Sequence, residues 1–394
     1  MPKRVPERNS DTPHRALTRT STATLYVAFA LTGFGTALLG ATLPVMLVHW
    51  SLTDRDGGLL FLMLFLGSSM GAVLSRGGAT HSVARGAAVL FPACAALAFA
   101  SGRAVFPLSF LYGLGLGITI TSINLLRSQR RADTRIREMN RLNLVWALGA
   151  FACPWLANEA LYRTSVTFLF LALAAVFAVF TAWALAVETR FFPSEIPRAK
   201  QAHAATLRLP LVIAFTTLLA TGIESATGAW IVTYAGRLRP GFWVPVAAGS
   251  VFWFGLLASR AIHSTPGIQR FSERTLLRVA VPIVALGCTF LLASRSQDTL
   301  LLAAFLIGLG VGPVYPVLLA AVLPRVNGNL IFVMAGLGGA TFPWLTGTLS
   351  ARAGSLRTGM MAPAGVGFVM LLLLPSIDNA LHAIEQRAQA LPEP

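Results

Sequence analysis

Charge is scarce in this chain. Asp, Glu, Lys and Arg make up 12% of the 394 residues, about half the ~25% usual in soluble domains. Hydrophobic residues make up 55%, and mean hydropathy is +0.68. A soluble fold of this length needs far more charged surface, so that class is excluded. There are only three cysteines, Cys94, Cys153 and Cys288, all in apolar segments and without CxxC or Cys–His spacing. That excludes a disulfide framework and a cysteine metal site, and leaves them as small packing residues. Histidine is also sparse. His14 lies in the polar N-terminal tail, and His49, His81, His203, His263 and His382 fall at or beyond the ends of apolar segments. With no paired carboxylates, His/Asp motif or serine–base pair at membrane depth, an enzyme is not expected. No Gly-Lys-Ser/Thr completes a phosphate loop, which argues against an ATP-driven pump. No metal or other cofactor is expected.

The apolar residues run in long continuous stretches. A membrane β-barrel would alternate apolar and polar positions over short segments instead. The remaining class is an all-α polytopic membrane protein. Spanning helices need ~20 apolar residues each. Twelve such spans are predicted, at roughly 24–48, 57–75, 83–101, 104–126, 139–160, 165–187, 209–234, 243–262, 275–294, 298–322, 328–350 and 358–377. Residues 1–23 are polar and basic, with no apolar core before a cleavage site, and read as a cytoplasmic tail rather than a signal peptide. Residues 188–208 form the longest interior link and divide the chain into two six-helix halves, 24–187 and 209–377. Residues 378–394 read as a second cytoplasmic tail.

The net charge of +16 would suggest nucleic acid in a soluble protein. Here the bases sit in the links, where they set topology, and no basic, aromatic-rich module accompanies them. A nucleic-acid partner is therefore not expected. With the N-terminus inside, 23 Lys and Arg fall on the cytoplasmic side and 8 on the other. Both termini are then cytoplasmic, as an even number of spans requires, and the chain is expected in the plasma (inner) membrane.

The halves echo each other. FLYGLGLGITIT (110–121) matches FLIGLGVGPVYP (305–316), and ALGAFACPWL (147–156) matches GLGGATFPWL (336–345). The offsets are 195 and 189 residues. Two matching offsets in corresponding helices point to an internal duplication, and repeated halves around a midplane site are the build of secondary transporters.

With these features the sequence resembles the major facilitator superfamily. Within it, the resemblance is to fucose-permease-like and sodium-dependent glucose transporter-like sugar transporters. It rests on TGFGTALLGATLPVML (32–47), GLGLGITITSINLL (113–126), TGIESATGAWIVTYA (221–235) and GLGGATFPWLTG (336–347). It implies a monosaccharide substrate and alternating access. Many facilitators carry Gly-x-x-x-Asp-Arg after helix 2, and here Ser75 stands at the acidic position of Gly71–Arg76. Fucose-permease-like transporters carry Asn-Asp where this chain has Leu39-Gly40, and a glutamate where it has Ile120. The proton-linked acids of those relatives therefore do not carry over.

Of the fifteen acids, only Glu224 is mid-span. A charge at the bilayer centre costs at least ~2.5–3.5 kcal/mol on insertion scales, so something must offset it. Glu224 reads as a cavity-facing carboxylate that binds solute or couples transport to a proton or sodium ion. The structural alternative is a neutral carboxyl fixing two helices by hydrogen bonds. Thr217, Thr221, Thr227 and Tyr234 share its face at helical spacing, although threonines can simply bond back to their own helix. Gly222 and Gly228 flank the acid and would let the helix bend. Trp230 lies off that face and joins a cavity only if the helix breaks near Gly228. Other candidates to bind the solute are Asn124, Asn143, Trp146, Trp253 and Tyr315, since amides suit sugar hydroxyls and aromatic faces stack on sugar rings. For each aromatic the bland reading is packing or interfacial anchoring. The glycines 113, 115 and 117 read as close helix packing.

These features predict a transporter of a small neutral polar solute, acting as a monomer in the lipid bilayer. A drug or lipid exporter of the same fold, and a non-transporting receptor or scaffold, remain the alternatives.

Overall fold

The computed structural model describes residues 11–75, 82–128, 132–191, 211–238, 243–265, 267–322 and 329–389. Among them are twelve α-helices. The first half holds α1 (Asp11–His49), α2 (Asp54–Ser75), α3 (Ser82–Ala98), α4 (Val105–Ser128), α5 (Ala132–Arg163) and α6 (Val166–Phe191). The second holds α7 (Leu211–Leu238), α8 (Trp243–His263), α9 (Glu273–Ala293), α10 (Gln297–Val322), α11 (Asn329–Ala353) and α12 (Leu356–Gln389). Eleven contain stretches long and apolar enough to cross a membrane, and α3 contributes the shorter apolar run Val83–Ala98. A helix stands at each of the twelve predicted spans.

Several helices outrun their apolar spans. α1 begins within the predicted N-terminal tail, and α12 continues to Gln389 through most of the predicted C-terminal one. Backbone hydrogen bonding does not stop where the apolar run stops. The end of α12 is tied to α9 by Arg278–Asp378 at 2.7 Å and Arg274–Glu385 at 3.2 Å. The central link lies largely outside the described residues, as do Arg130 and Arg131 of the basic link before α5. The turn into α2 is a reciprocal cap: the Asp56 backbone N–H donates to the Thr53 hydroxyl, and the Thr53 N–H donates to the Asp56 carboxylate.

The duplication read from the sequence is a packing rule in space. A Cβ at Gly113 or Gly117 of α4 would run into the α2 backbone at Leu64 or Ser68, and one at Gly115 into Leu90 of α3. In the second half, Gly308 and Gly312 of α10 face Phe252, Leu256 and Ser259 of α8, and Gly310 faces Ala280 and Val284 of α9. Together these glycines seat α4 on α2 and α3, and α10 on the equivalent α8 and α9. Ser75, at the place of the facilitator acid, is buried, and its hydroxyl donates to the carbonyls of Gly71 and Ile118, tying α2 to α4.

The halves meet through α1 with α7, α2 with α11 and α5 with α8. Gly40 of α1 lies against the Gly228 carbonyl of α7, so the position that carries an acid in fucose-permease-like transporters is used here for close helix approach. At the bundle end formed by the start of α2, Arg237 donates twice to Asp54, at 2.6 Å each. Ser350 of α11 donates to the same carboxylate at 2.5 Å. Below this triad, Trp230 is completely buried and its indole N–H donates to the Pro343 carbonyl at 2.9 Å.

Candidate functional site

A cavity of about 210 Å³ lies between the halves at mid-height of the helices. One wall is apolar: Phe61, Leu64 and Phe65 of α2, with Leu116 and Ile120 of α4. The other is mixed, with Glu224, Ser225 and Gly228 of α7, Trp253 of α8 and Trp146 of α5. Ser68 and Thr36 also line the cavity, the Thr36 hydroxyl donating to the Thr32 carbonyl of its own helix. Ile120, where fucose-permease-like transporters carry a glutamate, is thus an apolar part of the lining.

Glu224, Trp146 and Trp253 are brought together. The two indoles meet edge to face with centroids 5.8 Å apart, an arrangement favoured by the ring quadrupoles. Gly228 makes room for this, because a Cβ there would sit 3.0 Å from the Trp253 ring. The flanking glycines therefore serve packing. α7 is one continuous helix from Leu211 to Leu238, and Gly222 lies against the Phe342 ring.

The unbroken helix decides the place of Trp230, which does not line the cavity but packs between α7 and α11. Tyr234 is also buried away from it, 3.4 Å from the Ser294 hydroxyl. Thr217 and Thr221 donate to carbonyls of their own helix, and Thr227 is buried without a hydrogen-bond partner among the described residues. None of the three lines the cavity. Asn124 stands one turn beyond Ile120, outside the lining. Asn143 takes part through its backbone, its carbonyl accepting from Arg260 at 3.4 Å. Tyr315 of α10 is outside the lining.

Arg260 is the residue that sequence reasoning missed as part of the site. Three residues from the end of α8, it counted there as a topological base of the link. Helical side chains lean toward the helix N-terminus, so the long Arg260 side chain runs back toward mid-membrane. Its guanidinium lies over the Trp146 ring at 4.9 Å. One of its nitrogens is 3.9 Å from the Glu224 carboxylate. The seven-residue spacing from Trp253, which places both on one face of α8, was the available signal. The charge that must offset Glu224 in the membrane is thus this guanidinium, and the pair bridges the halves through Trp146 and Asn143. At 3.9 Å the two groups attract without a direct hydrogen bond, so both keep hydrogen-bonding capacity for a third group.

No protein-family model matches the sequence, and no curated protein matches it. Solved structures do share the fold. A structure of the nucleoside transporter NupG superposes with a TM-score of 0.66 at 15% identity, covering 91% of this chain and 99% of that one. A bacterial homologue of the human lysosomal transporter Spinster, in an inward-facing and occupied conformation, superposes with a TM-score of 0.60 at 13% identity, covering 94% and 97%. The chain, with its twelve helices, therefore shares the fold of these two transporters.

Proposed function

We propose that this protein is a secondary transporter that carries a small neutral polar solute, a monosaccharide, by alternating access. The observation that carries the reading is the cavity between the halves, where Glu224 and two indoles converge, with the Arg260 guanidinium directly behind them. With Glu224 ionised, its charge and that of Arg260 cancel, which suits an uncharged guest. Hydroxyls can donate to the carboxylate and accept from the guanidinium, and the indoles offer flat apolar faces for a sugar ring. Glu224, Trp146 and Trp253 are the proposed contacts, with Glu224 also the coupling group for a proton or sodium ion. The charge bias of the links supports both termini in the cytoplasm of a cell whose inner membrane holds the protein as a monomer.

The apolar wall from α2 and α4 favours a second reading, efflux of an amphiphilic drug or lipid. Proteoliposomes separate the two. Counterflow of radiolabelled glucose above that of protein-free vesicles is the expected result. Absence of glucose counterflow, together with protein-dependent efflux of an amphiphilic dye, would replace the sugar reading with the exporter.

A further inference from the structure

We infer that Arg260 is a solute-binding residue, and that with Glu224 it selects solutes carrying two adjacent hydroxyls. The inference rests on the proposed transport of a polar solute through this cavity, and it names the chemical group the site reads. Arginine carries five N–H donors in a rigid fork. In Arg260 the Nη1 group is engaged by the Asn143 carbonyl at 3.4 Å. The opposite edge, formed by Nε and Nη2, makes no hydrogen bond among the described residues: Nε is buried and unpartnered, and Nη2 is 3.9 Å from Glu224 Oε1, directly behind the Glu224 and Trp146 side chains that line the cavity. That edge is the one with which arginine grips two oxygens side by side.

A carboxylate or phosphate would match the fork but would bring a second negative charge beside Glu224. Two neighbouring hydroxyls match it without that penalty. Their oxygens accept from Nε and Nη2, and one of the hydroxyls donates a hydrogen bond to the Glu224 carboxylate. Trp146 holds the guanidinium plane from the opposite half, so the fork is oriented before solute arrives. A hexose and a ribonucleoside both present such a diol, whereas an isolated hydroxyl fills only half the fork.

Binding to the purified full-length protein tests this, with glucose and uridine as probes. Each is compared with analogues lacking one hydroxyl: 2-deoxyglucose and 3-deoxyglucose, and 2′-deoxyuridine. Loss of a hydroxyl from the bound diol should weaken binding roughly ten- to a hundredfold. In Arg260→Lys, which keeps the charge but loses the fork, the parent and deoxy compounds should bind almost alike. A residue that merely positions Glu224 would leave their ratio at its wild-type value. Parent and analogues binding the wild type equally, or a ratio that persists in Arg260→Lys, would overturn the inference while leaving transport of a polar solute intact. Binding of uridine but not glucose, with 2′-deoxyuridine weaker, would support the diol and remove the monosaccharide. Binding of neither probe would overturn both. If Arg260→Lys does not fold, Arg260→Gln, which also lacks the paired Nε and Nη2 donors, is measured in its place and should likewise bind parent and deoxy compounds almost alike.

Discussion

Glu224 is the acid on which the chemistry of the cavity turns, and its amide variant separates its possible roles. Glu224→Gln keeps the size and most hydrogen bonds but cannot take up a proton or neutralise a cation. If Glu224 couples transport, the variant should still exchange labelled solute across proteoliposomes yet lose accumulation driven by a proton or sodium gradient. Accumulation that survives the change would remove the coupling role. Trp230 offers the complementary case. Its indole is buried and bonded to the Pro343 carbonyl, so Trp230→Phe should remove that inter-helix hydrogen bond and leave a small void behind. A loss of about 1–3 kcal/mol in stability is expected, read as a lower unfolding temperature with solute affinity unchanged. A fall in affinity at wild-type stability would return Trp230 to the binding site.

These residues also show what a sequence can and cannot disclose. Glu224 was legible because a carboxylate inside an apolar run must be offset by something. The offsetting charge was not legible, because Arg260 stands close enough to the end of α8 to pass for a link base. Only the length and lean of its side chain bring the guanidinium back to mid-membrane. Tyr234 and the threonines share a helical face with Glu224, yet α7 is packed by α1, α8, α10, α11 and α12. When every face of a helix is covered, spacing cannot say which face lines a cavity.

At the scale of the helices, the repeated glycines make the most direct prediction. Gly113 meets the α2 backbone at Leu64 as Gly308 meets the α8 backbone at Phe252. Gly113→Leu and Gly308→Leu should each drive those helices apart, and both should give aggregated or unfolded protein on size exclusion in detergent. Gly365→Ala should be tolerated, since a Cβ there meets nothing within 4 Å. A well-folded Gly113→Leu protein would contradict the packing described for α2 and α4. Helix number, halves and repeats were readable beforehand because the bilayer forces every span to be continuous, apolar and internally hydrogen-bonded. Helix ends were less so, since no such requirement applies once the chain has left the bilayer.

For the whole molecule, alternating access requires the halves to part and rejoin around the cavity. The triad of Asp54, Arg237 and Ser350 is the charged contact that must open when the cavity faces its end of the bundle. Asp54→Asn removes the charge pairing and should make a cysteine at Ser68, in the cavity lining, react faster with an impermeant thiol reagent supplied from that side. The Cys94, Cys153 and Cys288 background should be replaced by alanine, although all three are buried. Unchanged reactivity would mean that the triad does not hold that end shut.

The most direct measurement of the central claim joins the halves covalently at this point. Asp54→Cys and Ser350→Cys in the same cysteine-free protein place two thiols where the native side chains touch. Crosslinking them should abolish glucose counterflow in proteoliposomes, and cleaving a reducible crosslinker should restore it, because neither half can then rock away from the other and back. Counterflow that continues at its full rate in fully crosslinked protein would contradict alternating access about this cavity.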